Sequence, residues 1–185
     1  MKIGVMGDKG SFSEEAAQLY TQKKRIKKFS IKYLINADSV LRCLQNNKID
    51  LGILPISNTT AGMVIESVQA LEKYSFRIAS SFKMPIKHFL LINPCVNKKD
   101  VSMIISHIQP LTQCKKYLQK KWKNTKKMEY TDTAKAAKDL ANGKLPANSA
   151  VIAPRKCAEI YGLKILAKNI QDNKNNVTMF LVIKK

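Results

Sequence analysis

The chain has 185 residues, 45% hydrophobic and 25% charged, so it can bury a full core as one domain or as two small lobes. Its formal net charge is +20, from 33 lysines and arginines against 13 aspartates and glutamates. No stretch approaches the roughly 20 apolar residues of a membrane helix, and the opening MKIGVMGDKG breaks too early for a signal-peptide core, so the chain is expected to be soluble and cytoplasmic.

In chain order, KIGVM (2–6) reads as a strand and SFSEEAAQLYTQKK (11–24) as a helix opened by Ser11, with Glu14 three residues on at capping-box spacing. A strand IKYLI (31–35), a helix DSVLRCLQNN (38–47) and a strand DLGILPI (50–56) follow. After the turn SNTTAG (57–62) the pattern predicts a helix over MVIESVQALEKY (63–74), then two extended runs in FRIASSFKMPIKHFLLI (76–92) with Pro85 between them. VSMIIS (101–106) is a strand and PLTQCKKYLQKKW (110–122) one helix with Pro110 in its first turn. KKMEYT (126–131) is a strand and TAKAAKDLANG (133–143) a helix stopped by Gly143. Strand SAVIA (149–153), helix RKCAEIY (155–161), strand LKILA (163–167) and the closing strand TMFLVI (178–183) complete an alternating α/β chain.

A strand ending in small polar residues before a helix recurs at GDKGSFS (7–13), SNTTAG (57–62), SHIQP (106–110) and TDTA (131–134). In open α/β sheets ligands bind at the carboxyl ends of strands, where helix N-termini present unpaired N–H groups and a positive dipole end. Each such end contributes only about 0.3–1 kcal/mol toward an anion. Several together would suit a small polyanion; singly, each is an ordinary N-cap.

The four cysteines (Cys43, Cys95, Cys114, Cys157) contain no Cys-x-x-Cys pair, which fits free thiols rather than a disulfide framework or a zinc knuckle. With only His88 and His107 and no acidic cluster, a metal site is not expected, and neither a phosphate loop nor G-x-G-x-x-G is present. Two basic runs, QKKRIKK (22–28) and CKKYLQKKWKNTKK (114–127), invite a nucleic-acid reading. Their basic residues are almost all lysine, which lacks the arginine fork, so solvated surface is the better reading. Thr178 alone, near the polar edge of the last strand, is ambiguous between a β-branched strand residue and a chemical one.

Six segments in order resemble the catalytic domain of prephenate dehydratases: GDKGSFSEEAA (7–17), PISNTTAG (55–62), SHIQPLTQC (106–114), TDTAKAA (131–137), AEIYGLKIL (158–166) and NIQDNKNNVTMF (169–180). The resemblance implies two α/β lobes like those of type 2 periplasmic binding proteins, residues 1–82 plus 165–185 forming one and 83–164 the other, with a ligand cleft between them. It implies a dicarboxylate substrate, prephenate, which loses carbon dioxide and its ring hydroxyl to give phenylpyruvate on the way to phenylalanine, with no metal or organic cofactor. It implies Thr178 as the catalytic residue and Ser11, Ser13, Asn58, Thr59, Gly62, Ser106, His107, Gln109, Thr133 and Phe180 as substrate contacts. A homo-oligomer is the family habit.

The chain departs from the family pattern at Met179, where the family has arginine after the threonine, at Ser57, where it has glutamate, and at Gln69 in the following helix. An arginine–carboxylate contact contributes about 1.5–3 kcal/mol, so its loss would cost substrate recognition unless a lysine compensates. The alternative is therefore a divergent binder, or a non-aromatising decarboxylase, of a prephenate-like dicarboxylate. The chain also stops where most members continue into an ACT domain, which implies no phenylalanine feedback by that route.

Overall fold

The computed structural model describes all residues, 1–185, as two compact α/β units. Unit 1 comprises residues 1–8, 12–86 and 177–185; unit 2 comprises 9–11 and 87–176. No helix is long and apolar enough to cross a membrane.

Unit 1 is built on a mixed sheet of β1 (Lys2–Val5), β2 (Ser30–Tyr33), β3 (Leu51–Asn58), β4 (Gly62–Met63), β5 (Arg77–Pro85) and β11 (Val177–Lys184), in the order β2-β1-β3-β11-β5 with β4 hairpinned onto β3. The first three strands run parallel, whereas β11 is antiparallel to both β3 and β5. Alternation along β11 divides its side chains between two cores. Phe180 and Val182 pack with Ile3, Val5 and Ile53 under Ala16, Ala17 and Tyr20 of α1 (Phe12–Lys23). Ile183 packs with Leu54 under α2 (Ala37–Gln45) and α3 (Ile65–Leu71). α2 starts where Asn36 accepts the Ser39 N–H (2.8 Å), the side-chain cap that the Asn-Ala-Asp-Ser sequence supplies.

Unit 2 repeats the three-layer plan with β6 (Phe89–Ile92), β7 (Met103–Ser106), β8 (Lys126–Glu129), β9 (Ser149–Ala153) and β10 (Lys164–Ala167), ordered β10-β6-β9-β7-β8. α6 (Thr133–Ala141) and α7 (Arg155–Tyr161) cover one face through Ala134, Ala137, Leu140, Cys157 and Ala158. α4 (Ile108–Gln113) and α5 (Lys115–Lys121) cover the other through Cys114, Leu118 and Trp122. β6 and β9 are buried at every residue, which is why they read as unbroken apolar runs.

Four expectations are corrected. The segment SNTTAG does not lead from strand to helix: β3 runs on to Asn58 and returns through Thr59–Ala61 into β4, with Gly62 at φ +76°. The helix then begins only at Ile65. The single helix expected over 110–122 is two, because Asp172 intervenes: its N–H donates to the Gln113 carbonyl (2.8 Å) while its carboxylate accepts the Lys116 and Tyr117 N–H groups (2.8 and 2.9 Å). Residues 165–176 belong to unit 2, since β10 is hydrogen-bonded to β6; the return to unit 1 lies at Val177, not 165. Lys9–Ser11 also join unit 2, where the Lys9 carbonyl accepts Tyr161 Oη–H (2.7 Å). Gly10, at φ +89°, lies so close to Cys157 that a Cβ would stand 2.9 Å from its sulfur.

Candidate active site

A β-bulge builds the centre of the candidate site. β3 and β11 pair in register from Ile183↔Gly52 to Phe180↔Pro55, then skip one residue so that Met179 faces Ser57 and Thr178 faces Asn58. Ile56 is the extra residue. Because side chains alternate with period two, this one-residue slip brings Asn58 onto the face that carries Thr178.

On that face the Asn58 side chain is fully oriented by its neighbours. Its Oδ1 accepts the Thr60 and Ala61 N–H groups (2.8 and 2.9 Å), which leaves Nδ2 to donate to Thr178 Oγ1 (2.9 Å) and to the Val177 carbonyl (3.2 Å). Thr178 Oγ1 is therefore an acceptor toward Asn58, and its own hydrogen is directed elsewhere as a donor. Thr59 closes the end of the ladder: its N–H donates to the Val177 carbonyl (2.9 Å) and its Oγ1 accepts the Val177 N–H (3.0 Å). Thr178 is 7% exposed and Asn58 6%.

The remaining unit 1 candidates are placed as follows. Gly62 is the exposed register partner of Asn58. Ser13 is buried in the first turn of α1. Phe180 is 1% exposed and stacked on Phe82 (centroids 6.0 Å apart), so it is a core residue beneath the site and not a group on its surface. Met179 lies on the opposite face from Thr178, opposite Ser57 on one side and Lys83 on the other.

In unit 2 the turns after β7 and β8 stand side by side, since the Ser106 carbonyl accepts the Tyr130 N–H (2.9 Å). Ser106 is fully buried and its Oγ donates to the Ile152 carbonyl (2.7 Å), which ties β7 to β9. His107 is the N-cap of α4, its Nδ1 accepting the Gln109 N–H (3.4 Å). Thr133 opens α6 behind Asp132, whose carboxylate caps the Lys135 N–H (2.7 Å). Ser11 is buried in the segment docked beside α7. The half-exposed His107 and Gln109 are the groups of this set nearest to solvent.

Two polar clusters escaped the sequence reading. In unit 1, the phenol of Tyr33 is pushed above its ordinary range by burial, by the carboxylate and hydrogen bond of Glu14, and by Asp8. In unit 2, Gln113 Oε1 accepts from both His88 Nε2 and Asn176 Nδ2 (2.7 Å each), and all three residues are buried. Burial lowers the His88 pKa to about 4, against the opposing effect of its hydrogen bond to Gln113 Oε1, so its ring is neutral near pH 7. The Ser-Asn-Thr-Thr and Asn-Asn-Val-Thr segments hinted at the Asn58–Thr178 pair, whereas the Gln113 cluster joins residues 25 and 63 positions apart and had no local signal. Cys114 is a packing residue, its thiol pushed up by burial and by Asp172.

The sequence profile of the prephenate dehydratase family matches residues 3–185. An Arabidopsis thaliana protein, arogenate dehydratase/prephenate dehydratase 2, is 32% identical over 183 residues, which is 99% of this chain and 46% of that protein. The bifunctional chorismate mutase/prephenate dehydratase of Buchnera aphidicola from Schizaphis graminum is 31% identical over 99% of this chain and 47% of its own length. The chain thus spans about half the length of the curated relatives it matches. Among solved structures, the prephenate dehydratase of Arthrobacter aurescens in complex with L-Phe superposes with a TM-score of 0.87 at 24% identity, over 100% of this chain and 60% of that one. A Bacillus subtilis lipoprotein, a candidate methionine-binding protein, shares the fold at a TM-score of 0.54 and 12% identity, over 100% of this chain and 83% of that one. The two-lobed α/β fold akin to type 2 periplasmic binding proteins is as expected from the sequence. By its motifs, its fold and a match that runs from residue 3 to residue 185, the chain belongs to the prephenate dehydratase family.

Proposed function

We propose that this chain carries out the decarboxylating dehydration of prephenate to phenylpyruvate, with Thr178 as the group that assists departure of the ring hydroxyl. The observation that carries this reading is the Asn58–Thr178 pair. A hydroxyl whose lone pair is occupied by an amide N–H presents its hydrogen as a donor, and that is what a leaving hydroxide needs. The carbon–carbon bond to the ring carboxylate breaks, its electrons enter the ring, and the hydroxyl leaves with a proton as water. The products are carbon dioxide, water and an aromatic ring, with no external oxidant or reductant.

Asn58, Thr59, Gly62 and Ser13 in unit 1, and His107, Gln109, Thr133 and Ser11 in unit 2, are the proposed substrate contacts. Ser106 and Phe180 act from beneath them. The setting proposed is a cytoplasmic homo-oligomer. Arogenate, named for the Arabidopsis relative, is the competing substrate.

The test is to incubate the purified chain with prephenate or arogenate and follow aromatic product and carbon dioxide together. Thr178→Ala is expected to lower kcat by roughly 10²- to 10⁴-fold, and Thr178→Ser by far less. A folded Thr178→Val protein with normal turnover would overturn the assignment. Carbon dioxide release without an aromatic product would favour the non-aromatising decarboxylase, the reading that the Ser57 and Met179 departures keep open.

A further inference from the structure

The Val177 N–H, the first of β11, is bonded to a side chain and not to the main chain. One step beyond the Thr178↔Asn58 pair, the register opposes Val177 to Thr59, where a regular antiparallel pair would exchange two main-chain bonds. One of them forms: the Thr59 N–H donates to the Val177 carbonyl (2.9 Å). The other does not, because the chain turns away here, with Asn58 Oδ1 accepting the Thr60 and Ala61 N–H groups (2.8 and 2.9 Å). Thr59 Oγ1 takes the place of the missing carbonyl and accepts the Val177 N–H at 3.0 Å.

This substitution bears on the residue that follows. On the other side of β11, Val177 stands opposite Pro85, which has no N–H to offer, so the Val177 peptide groups are held from the β3 side. The Val177 carbonyl also accepts Asn58 Nδ2 (3.2 Å), the same nitrogen that donates to Thr178 Oγ1 (2.9 Å). One amide thus spans two adjacent residues, and the placement of the Val177 peptide is coupled to the placement of the Thr178 hydroxyl. Thr59 is exposed, so without its hydroxyl the Val177 N–H would turn to water at little cost in overall stability. What would be lost is the single geometry that the hydroxyl fixes.

We propose that Thr59 is a positioning residue for Thr178, acting through Val177. Its hydroxyl completes the ladder where the main chain of β3 has left it, and so sets how the first peptide of β11 lies and where the Thr178 hydroxyl points. Threonine and serine both supply the acceptor; valine, of nearly the same shape, does not. The kinetic consequence rests on the catalytic reading of Thr178, whereas the positional claim stands on unit 1 by itself. The role is separate from the substrate contact proposed for Thr59, and Val177 distinguishes the two.

The experiment compares wild type with Thr59→Val, Thr59→Ser and Val177→Pro. Proline is tolerated at the first residue of a strand, and there it removes the donor while leaving the Thr59 hydroxyl in place for a substrate. In ligand-free Thr59→Val, hydrogen exchange of the Val177 amide should quicken by roughly tenfold or more, and the Thr178 amide resonance should move. Both should return toward their wild-type values in Thr59→Ser. For prephenate, kcat should fall by roughly 10- to 100-fold in Thr59→Val and in Val177→Pro, with KM of Val177→Pro within about twofold of wild type, the pattern of a misplaced catalytic group. Thr59→Ser should keep most of the wild-type kcat. Unchanged Val177 exchange and an unmoved Thr178 resonance in Thr59→Val overturn the proposal whatever the kinetics. A folded Val177→Pro protein with normal kcat overturns it as well, as does a Thr59→Val protein whose loss is confined to KM, since Thr59 would then serve the substrate alone. A wild-type protein inactive on prephenate and arogenate would sink the catalytic reading, and the exchange and resonance measurements would still decide the positional one.

Discussion

At the scale of single residues, His88 shows how burial becomes a pH dependence. Its folded pKa, about 4, lies below the ordinary value of 6.5. Between those two values the unfolded chain binds a proton that the folded chain does not, so the stability this group contributes is complete above about pH 6.5. It declines as pH falls and levels off below about pH 4. The full difference is about 3 kcal/mol. Urea unfolding of wild type and His88→Asn across pH 4–7.5 should show a steeper wild-type decline over that window; parallel profiles would refute the assignment. Thr178 illustrates what was and was not legible at this scale. Its identity as a candidate came from the motif resemblance, but its role as acceptor toward Asn58 depends on a partner 120 positions away and on an amide orientation set by Thr60 and Ala61. No local pattern encodes that.

At the scale of elements, the pairing of β11 changes the meaning of two departures from the family pattern. Read in sequence, Met179 and Ser57 look like separate losses of an arginine and a glutamate, and Met179→Arg would be expected to improve substrate recognition. In register they face each other across β3 and β11, on the face away from Thr178, with Lys83 as the other neighbour of Met179. A glutamate and an arginine there would form a cross-strand pair of the kind that contributes roughly 0.2–1 kcal/mol, and a serine and a methionine have replaced both members together. Met179→Arg alone should therefore give no gain in kcat/KM for prephenate and a slight loss of stability, from a second cation beside Lys83. Ser57→Glu combined with Met179→Arg should be more stable than the two single changes predict. A double-mutant cycle of melting temperatures measures this coupling, and a several-fold rise in kcat/KM for Met179→Arg alone would contradict it. Strands and most helices were legible because alternation and caps are local. The α4/α5 break and the β4 hairpin were not, because Asp172 and the Asn58 turn act through contacts distant in sequence or through backbone geometry.

At the scale of the whole molecule, the excess of positive charge bears on how the proposed substrate would arrive. With a net charge of +20, association of the doubly negative substrate proposed above should be electrostatically assisted. Raising ionic strength from about 10 to about 300 mM should lower kcat/KM for prephenate several-fold and leave kcat nearly unchanged, because screening acts on encounter and not on the bound state. A salt-independent kcat/KM would show that the charge has no such role. The basic run at 114–127 divides between α5 and the edge strand β8, where lysines discourage pairing with other chains, and Trp122 is turned into the core instead of standing among the lysines as a stacking surface. The solvated-surface reading of that run fits this placement. The division of the chain also sets an order of assembly. β11 lies between β3 and β5 in the sheet of unit 1, yet it is made after all of unit 2. During synthesis β3 and β5 each wait with an open edge for a strand that arrives last, while unit 2 has its full complement of strands once Ala167 is made. Thr178 travels on that final strand, so unit 2 is complete before the hydroxyl proposed to assist the reaction is made, and a chain interrupted before Val177 would be left with a split sheet for proteases to find.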